Sequence, residues 1–315
     1  MRRAALLTLA ALLLVAACPA DLLAWSPGTH IFLGQSVLHN LGALPGAVAD
    51  LLRAYPLDFL YGSIAADTSF AKKYVPVGRH CHSWHVGQEI HDLAPTDRLR
   101  AFGLGYLAHL AADVVAHNWF VPRQLVVTSS SKALGHSYWE ARFDIHIGDE
   151  YGRQAVAVIR HDHAHNDAHL DRIISPTLFS LGTNRRLFRG MVQLGDLTSW
   201  NRVVQIASEA SRWGLSDALV ERHMAIAYDY VMDLLAQGDA AIARRHDPNG
   251  HDALGAAKRM RRLALDAGGR RDKQVVEDTA EQHFGLPTAR LGYWDNYDVM
   301  PPWRRPGRRM NSRRR

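Results

Sequence analysis

The chain predicts an all-α, multi-helix body. Three observations carry this. Apolar residues recur at helical spacing through most of the sequence. No series of alternating strand-like segments interrupts them, and no Asn-Gly turn joins two such segments. Only two cysteines exist, Cys18 and Cys81, so no disulfide framework supports the fold, and stability must come from helix packing and from metal.

The elements follow in order. Met1-Arg2-Arg3 and the apolar run Ala4–Ala17 read as a secretory leader, a basic start followed by a short hydrophobic stretch. That run is too short for a permanent membrane-spanning helix, so export is expected: periplasmic, secreted or lipid-anchored at the cell envelope. Two cuts compete. Val15-Ala16-Ala17-Cys18 resembles a bacterial lipobox, giving a lipoprotein signal over 1–17 with Cys18 as lipid acceptor. Leu22-Leu23-Ala24 offers a cut before Trp25, giving a signal peptide over 1–24.

The body, 25–286, reads as one all-α domain. Helical spacing appears at His30–Leu41, Arg98–Phe120, Ser137–Ile147 and Arg153–Ile159. Ser216-Asp217 opens a long amphipathic run to Arg244, and Asp252–Ala267 and Lys273–His283 add two more helices. Irregular connections are expected at Pro56–His91, Pro122–Gly135, Arg160–His169 and Gly182–Asp196. The Arg-rich segment 287–315 is expected to be a disordered tail.

The formal charge of +6 overstates the basicity of the body. Seven Arg lie in Arg304–Arg315 and two more in the leader; without those nine, 28 basic residues face 31 acidic ones. A nucleic-acid binder concentrates basic charge on its folded face, so nucleic acid fits less well as a partner. Contact of the Arg tail with an anionic membrane surface is the alternative to plain solvation.

One stretch organises the candidate chemistry. In residues 103–120, His109, Asp113 and His117 are each four residues apart, with only small or apolar residues between them. Four residues of helix turn about 400°, so each group sits about 40° from the last and about 6 Å further along. The three therefore share one face, and a carboxylate on an apolar helix needs a partner or a cation. Zinc accepts both imidazole and carboxylate.

Other metal-capable residues cluster in the N-terminal half. They are His30, Asp67 at the end of an apolar stretch, the run His80-Cys81-His82-Ser83-Trp84-His85, and the pair His136 and Glu140 one helical turn apart. Among His80, His82 and His85 the choice is open; His82 leads, because Ser83-Trp84 follow it, and His85 is the reserve. Cys81 reads as a buried bystander thiol, and His39 falls on the opposite side of its helix from His30. Trp119, Trp139 and Tyr106 read as core. The tract from His161 to His169 lacks an apolar frame and reads as a solvated loop.

The ordered set Trp25, His30, Asp67, His82, His109-x3-Asp113, His117, His136-x3-Glu140 resembles the bacterial zinc-dependent phospholipases C, which share a fold with the fungal single-strand-specific zinc nucleases. The resemblance spans about Trp25–Asp144; the C-terminal half carries no motif of the family. It implies an all-α bundle of that type with up to three zinc ions at the base of a cleft. Trp25 would be the mature N-terminus, binding one zinc through its α-amino nitrogen and carbonyl oxygen together with His30 and a bridging Asp113. His82, His109 and Asp113 would hold a second zinc. His117, His136 and Glu140 would hold a third, with Asp67 beside the metals as ligand or general base. One departure is visible: family members separate the helix Asp from the next His by more than four residues. A lipidated Cys18 would leave Trp25 without a free amine.

The implied activity is hydrolysis of a phosphodiester by metal-activated water, with phospholipid as the expected substrate. Two alternatives stand beside it: a zinc nuclease acting on single strands, and a non-catalytic zinc-binding surface protein.

Overall fold

The computed structural model describes residues 25–69, 79–128, 132–177, 179–195, 211, 213–288 and 290–305. Among them there is no strand. The leader with its two candidate cuts, and residues 306–315, lie outside the described residues.

The helices are α1 (Pro27–His39), α2 (Gly46–Ala54), α3 (Pro56–Ala65), α4 (Trp84–Asp92), α5 (Asp97–Val115), α6 (Val121–Val127) and α7 (Lys132–Ile147). They continue as α8 (Asp149–Arg160), α9 (Ala164–Leu170), α10 (Leu181–Gly195), α11 (Asp217–Gln237), α12 (His251–Ala264) and α13 (Lys273–Phe284). Local chemistry sets their starts. The Ser26 hydroxyl accepts from the Gly28 amide at 3.2 Å, and Pro27 takes the first helical position, where its missing N–H costs nothing. Thr96 caps α5 by accepting from Leu99, and Ser216 caps α11 by accepting from Leu219 at 3.2 Å.

Helix α5 is the axis of the body. Every residue from Gly105 to Val115 is buried. By length and composition Asp97–Val127 could cross a membrane, but 89% of its most apolar window is covered by protein, which makes it a core helix. Helices α3, α4 and α11 pack around it. The α3 contact is close because two glycines face it: a Cβ on Gly62 would stand 2.1 Å from the Phe102 carbonyl oxygen, and one on Gly105 2.1 Å from that of Phe59. Small residues at this crossing let the backbones approach, and that approach carries the turn after α3 to the polar face of α5.

Four expected connections contain helix instead. The stretch 56–91 holds α3, the tight turn Ala66–Thr68 and nearly all of α4, while α6, α9 and α10 fall, to within one residue at an end, on 122–135, 160–169 and 182–196. The elements α4, α6 and α9 are nine residues or fewer, too short for periodicity to emerge. The His tract is half-buried rather than solvated. His163 donates through Nε2 to the Val158 carbonyl at 2.7 Å and lies flat on the Tyr61 ring, centroids 3.7 Å apart. His169 donates to the Ile90 carbonyl at 2.8 Å, while His161 and His165 are exposed. The packed part of the chain also continues past Leu286, correcting the expected start of a disordered tail. Asp229 of α11 accepts from the amides of Leu291, Gly292 and Trp294, at 3.1, 3.3 and 2.8 Å. Trp294 and Trp303 are buried, and Trp303 meets Phe32 of α1 edge-on.

His223 of α11 is buried, with Nδ1 donating to the Leu219 carbonyl at 2.7 Å and Nε2 without a partner. Burial, reinforced by Arg123 and Arg222, lowers its pKa to about 4. The folded state thus prefers neutral imidazole: its full contribution is present above about pH 6.5 and is lost as pH falls through about 4. At full burial the gap corresponds to about 3 kcal/mol. The variant His223→Leu should therefore lose less stability than the parent between pH 7 and 4, as read from urea unfolding. Parallel pH profiles would remove this histidine from the acid response.

Candidate metal centre

Five side chains from four segments meet at the polar face of α5. His30 comes from α1, Asp67 from the turn after α3, His82 from just before α4, and His109 and Asp113 from α5. All five are about 1% exposed or less. His30 Nε2 lies 3.4 Å from Asp113 Oδ1, while His82 Nε2 and His109 Nε2 each lie 3.1 Å from Asp113 Oδ2. Asp67 Oδ1 is 3.3 Å from His82 Nε2 and 4.0 Å from His109 Nε2. The His30 and His109 rings stack at 3.9 Å. One turn further along, Glu140 Oε1 stands 3.6 Å from His117 Nε2 and 2.7 Å from His136 Nε2.

The second cluster departs from the expected straight helix. The chain widens into a π-turn over Ala116–Phe120, and the Ala116 amide is shared between the Ala112 and Asp113 carbonyls. Pro122 supplies the reason: it has no N–H to offer the carbonyl four residues back, and its ring crowds that oxygen. His117 therefore joins the α7 pair, while His109 and Asp113 serve the cluster with His30 and His82.

The far nitrogens of the imidazoles are fixed. His109 Nδ1 donates to the Ser63 carbonyl at 2.9 Å, and His117 Nδ1 donates to the Pro248 carbonyl at 2.6 Å. A carbonyl can only accept, so Nδ1 carries the proton and Nε2 presents a lone pair to the cluster. His82 Nδ1 faces the Cys81 sulfur at 3.2 Å. Of the three histidines in that run, His82 reaches the cluster; His80 accepts from the His82 amide at 3.1 Å, and His85 is exposed. Trp25 is buried at the start of α1 and stacks on Phe143 at 4.9 Å.

These residues fit zinc on their own geometry. Both Asp113 oxygens, His30 Nε2, His117 Nε2 and Glu140 Oε2 are buried without a hydrogen bond, although a ring nitrogen or carboxylate stands close to most of them. The His82 and His109 Nε2 atoms face each other at 3.1 Å, a contact of two lone pairs unless a cation or proton lies between. Ligands about 2.0–2.1 Å from a tetrahedral zinc stand about 3.3–3.4 Å from one another, the spacing that these groups approach. Among the described residues, four sets have ligand atoms close enough to share an ion: His30, His109 and Asp113; Asp67, His82 and His109; His117, His136 and Glu140; and the contiguous run His80, Cys81 and His82, next to the first two.

Electrostatics agree. Burial pushes the Glu140 carboxyl up to about 8, outweighing the His117 contact that favours its charge. Burial also raises Asp113, but His109, His117 and His30 overcome it and hold that carboxyl well below the usual carboxylate range. Burial and the neighbouring His109 lower His30, keeping it neutral. A neutral His30 imidazole beside an ionised buried carboxylate suits a divalent ion.

A family model described as zinc dependent phospholipase C matches residues 29–180. The chain carries a zinc-dependent phospholipase C family domain. The matched stretch includes every side chain of both clusters. No curated protein and no solved structure matches the chain. The sequence did not flag Ser63, Pro248 or Asn249 around the phospholipase C-family site. Two of them act through main-chain carbonyls, which leave no residue-type signature; Asn249 appears below.

Removing one ligand should remove metal. Zinc per folded chain, measured by elemental analysis after dialysis, should fall by at least one ion in His109→Ala. Equal zinc content in the two proteins would show that the α5 imidazole holds none.

Proposed function

We propose that the protein is an exported, zinc-dependent phosphodiester hydrolase of phospholipase C type. The observation that carries this reading is the convergence of His30, Asp67, His82, His109 and Asp113, with His117, His136 and Glu140 alongside, inside a domain of that family. In this reading Asp113 is shared between His30 on one side and His82 and His109 on the other. Sharing one carboxylate leaves coordination positions for water and substrate, unlike a closed structural site. Trp25 would complete the His30 set through its main chain if the leader is cut before it.

Zinc bound here would supply Lewis acidity for the phosphate oxygens and hydroxide at neutral pH. The remaining work falls to the chain. Asp67 would orient the attacking water or take its proton; its Oδ1, 3.3 Å from the His82 nitrogen that faces the cluster, supports this role. Ser63 and Pro248 hold His109 and His117 in the tautomer that a metal requires. His136, with 14% of its side chain accessible, is the most open of the cluster residues, so substrate would approach from its side. No covalent intermediate is needed, and no Ser or Cys nucleophile is invoked.

The preference for phospholipid over nucleic acid rests on the family and on a body that is near neutral once the terminal Arg residues are set aside. The burial of the carboxylates would also suit zinc ions that only hold helices together. Release of phosphocholine from lecithin vesicles should be seen and should drop at least about 100-fold with a chelator, recovering with zinc. Nucleotide release from single-stranded DNA instead would reassign the substrate. Metal-dependent folding without hydrolysis of either would leave a structural zinc protein.

Export and the N-terminus make a separate test. Mass analysis of the secreted chain should show it starting at Trp25, with a free amine. A lipid on Cys18 would take Trp25 out of the ligand set.

A further inference from the structure

We propose that the loop His246–Gly250, more than sixty residues beyond the matched family domain, is the positioning element that sets both metal clusters in register. The proposal rests on the zinc reading above and adds to it a part of the chain that the family domain does not contain.

Four contacts converge from this pentapeptide. The Trp84 indole donates to the His246 carbonyl at 2.8 Å, two residues after His82. The Asn118 amide donates to the Asp247 carbonyl at 2.8 Å, one residue after His117. The Pro248 carbonyl accepts from His117 Nδ1 at 2.6 Å, which fixes its tautomer and turns Nε2 toward Glu140. The Asn249 side chain donates to the His82 carbonyl at 3.0 Å. Adjacent residues of one loop thus grip His117 of one cluster and His82 of the other.

The loop is built to hold that shape. The Asp247 carboxylate accepts from the Asn249 amide at 3.0 Å, the Asn249 side chain at 3.1 Å and the His251 amide at 3.1 Å. Gly250 has φ +55°, and a Cβ there would lie 2.2 Å from the His117 carbonyl oxygen and 2.6 Å from its Cβ. Only glycine allows the loop to sit directly on the His117 backbone. A segment serving only to connect α11 and α12 would need none of these contacts. Partners that orient metal ligands typically change metal affinity 10–100-fold when removed.

The test titrates chelator-stripped, full-length protein with zinc chloride against a competing indicator, with circular dichroism as the folding control. Asn249→Ala should bind zinc about 10-fold more weakly while keeping its helical spectrum. Asn249→Asp, which keeps the shape and removes the donor, should weaken binding to the same degree. Gly250→Ala should bind one zinc fewer by displacing His117. If both Asn249 variants bind as the parent does, the loop is a connector and the proposal fails. Should Asn249→Asp match the parent while Asn249→Ala does not, packing rather than the hydrogen bond is responsible, and the proposal fails as well. A parent protein that binds no zinc would overturn the underlying site reading first.

Discussion

The carboxylate of Asp113, sealed in the middle of the central helix, is the constraint on which the rest depends. Its two oxygens have no hydrogen bond and no access to water. A carboxylate buried this way costs several kcal/mol unless neighbouring groups compensate its charge. Three imidazole nitrogens approach it at 3.1–3.4 Å without the alignment of hydrogen bonds, which is the arrangement of groups turned toward a common cation. The α5 helix can accept such a residue because apolar neighbours on α3, α4 and α11 cover the rest of its surface.

Close packing and chemistry are linked through the same crossing. Gly62 and Gly105 let α3 lie against α5, and that contact brings the Ser63 carbonyl to His109 and the turn holding Asp67 to the cluster. Any side chain at the crossing would push both away together. The Pro122-induced π-turn has a comparable effect at the other end of α5. It hands His117 to a second carboxylate, Glu140, so that one helix serves two clusters instead of one row of ligands.

Around these clusters the molecule relies on hydrogen bonds that fix rings rather than on disulfides. Cys81 is buried beside His82 Nδ1, and its carbonyl accepts from Tyr106 at 2.6 Å. The thiol read from the sequence as a bystander therefore touches a ring of the site. Besides the packing of α11 on α5 and of α12 and α13 on α6, the C-terminal half reaches the N-terminal one through the strap anchored on Asp229, which leans on α1, and through the loop before α12, which leans on His82 and His117. Nothing in the composition of those segments announces either contact.

Sequence alone determined the all-α class and the long helices α5, α11 and α12, because periodicity over many residues reports a buried face directly. The pairing of His109 with Asp113, and of His136 with Glu140, was also legible, since helical pitch converts a spacing of four into adjacency. The tertiary structure decided the rest. It selected His82 over His80 and His85, opened the π-turn that carries His117 to Glu140, buried His163 and His169, and carried the packed chain to residue 305. Each of these depends on contacts between residues far apart in the chain. Spacing along the chain fixes distance only within one regular element; between elements, packing fixes it.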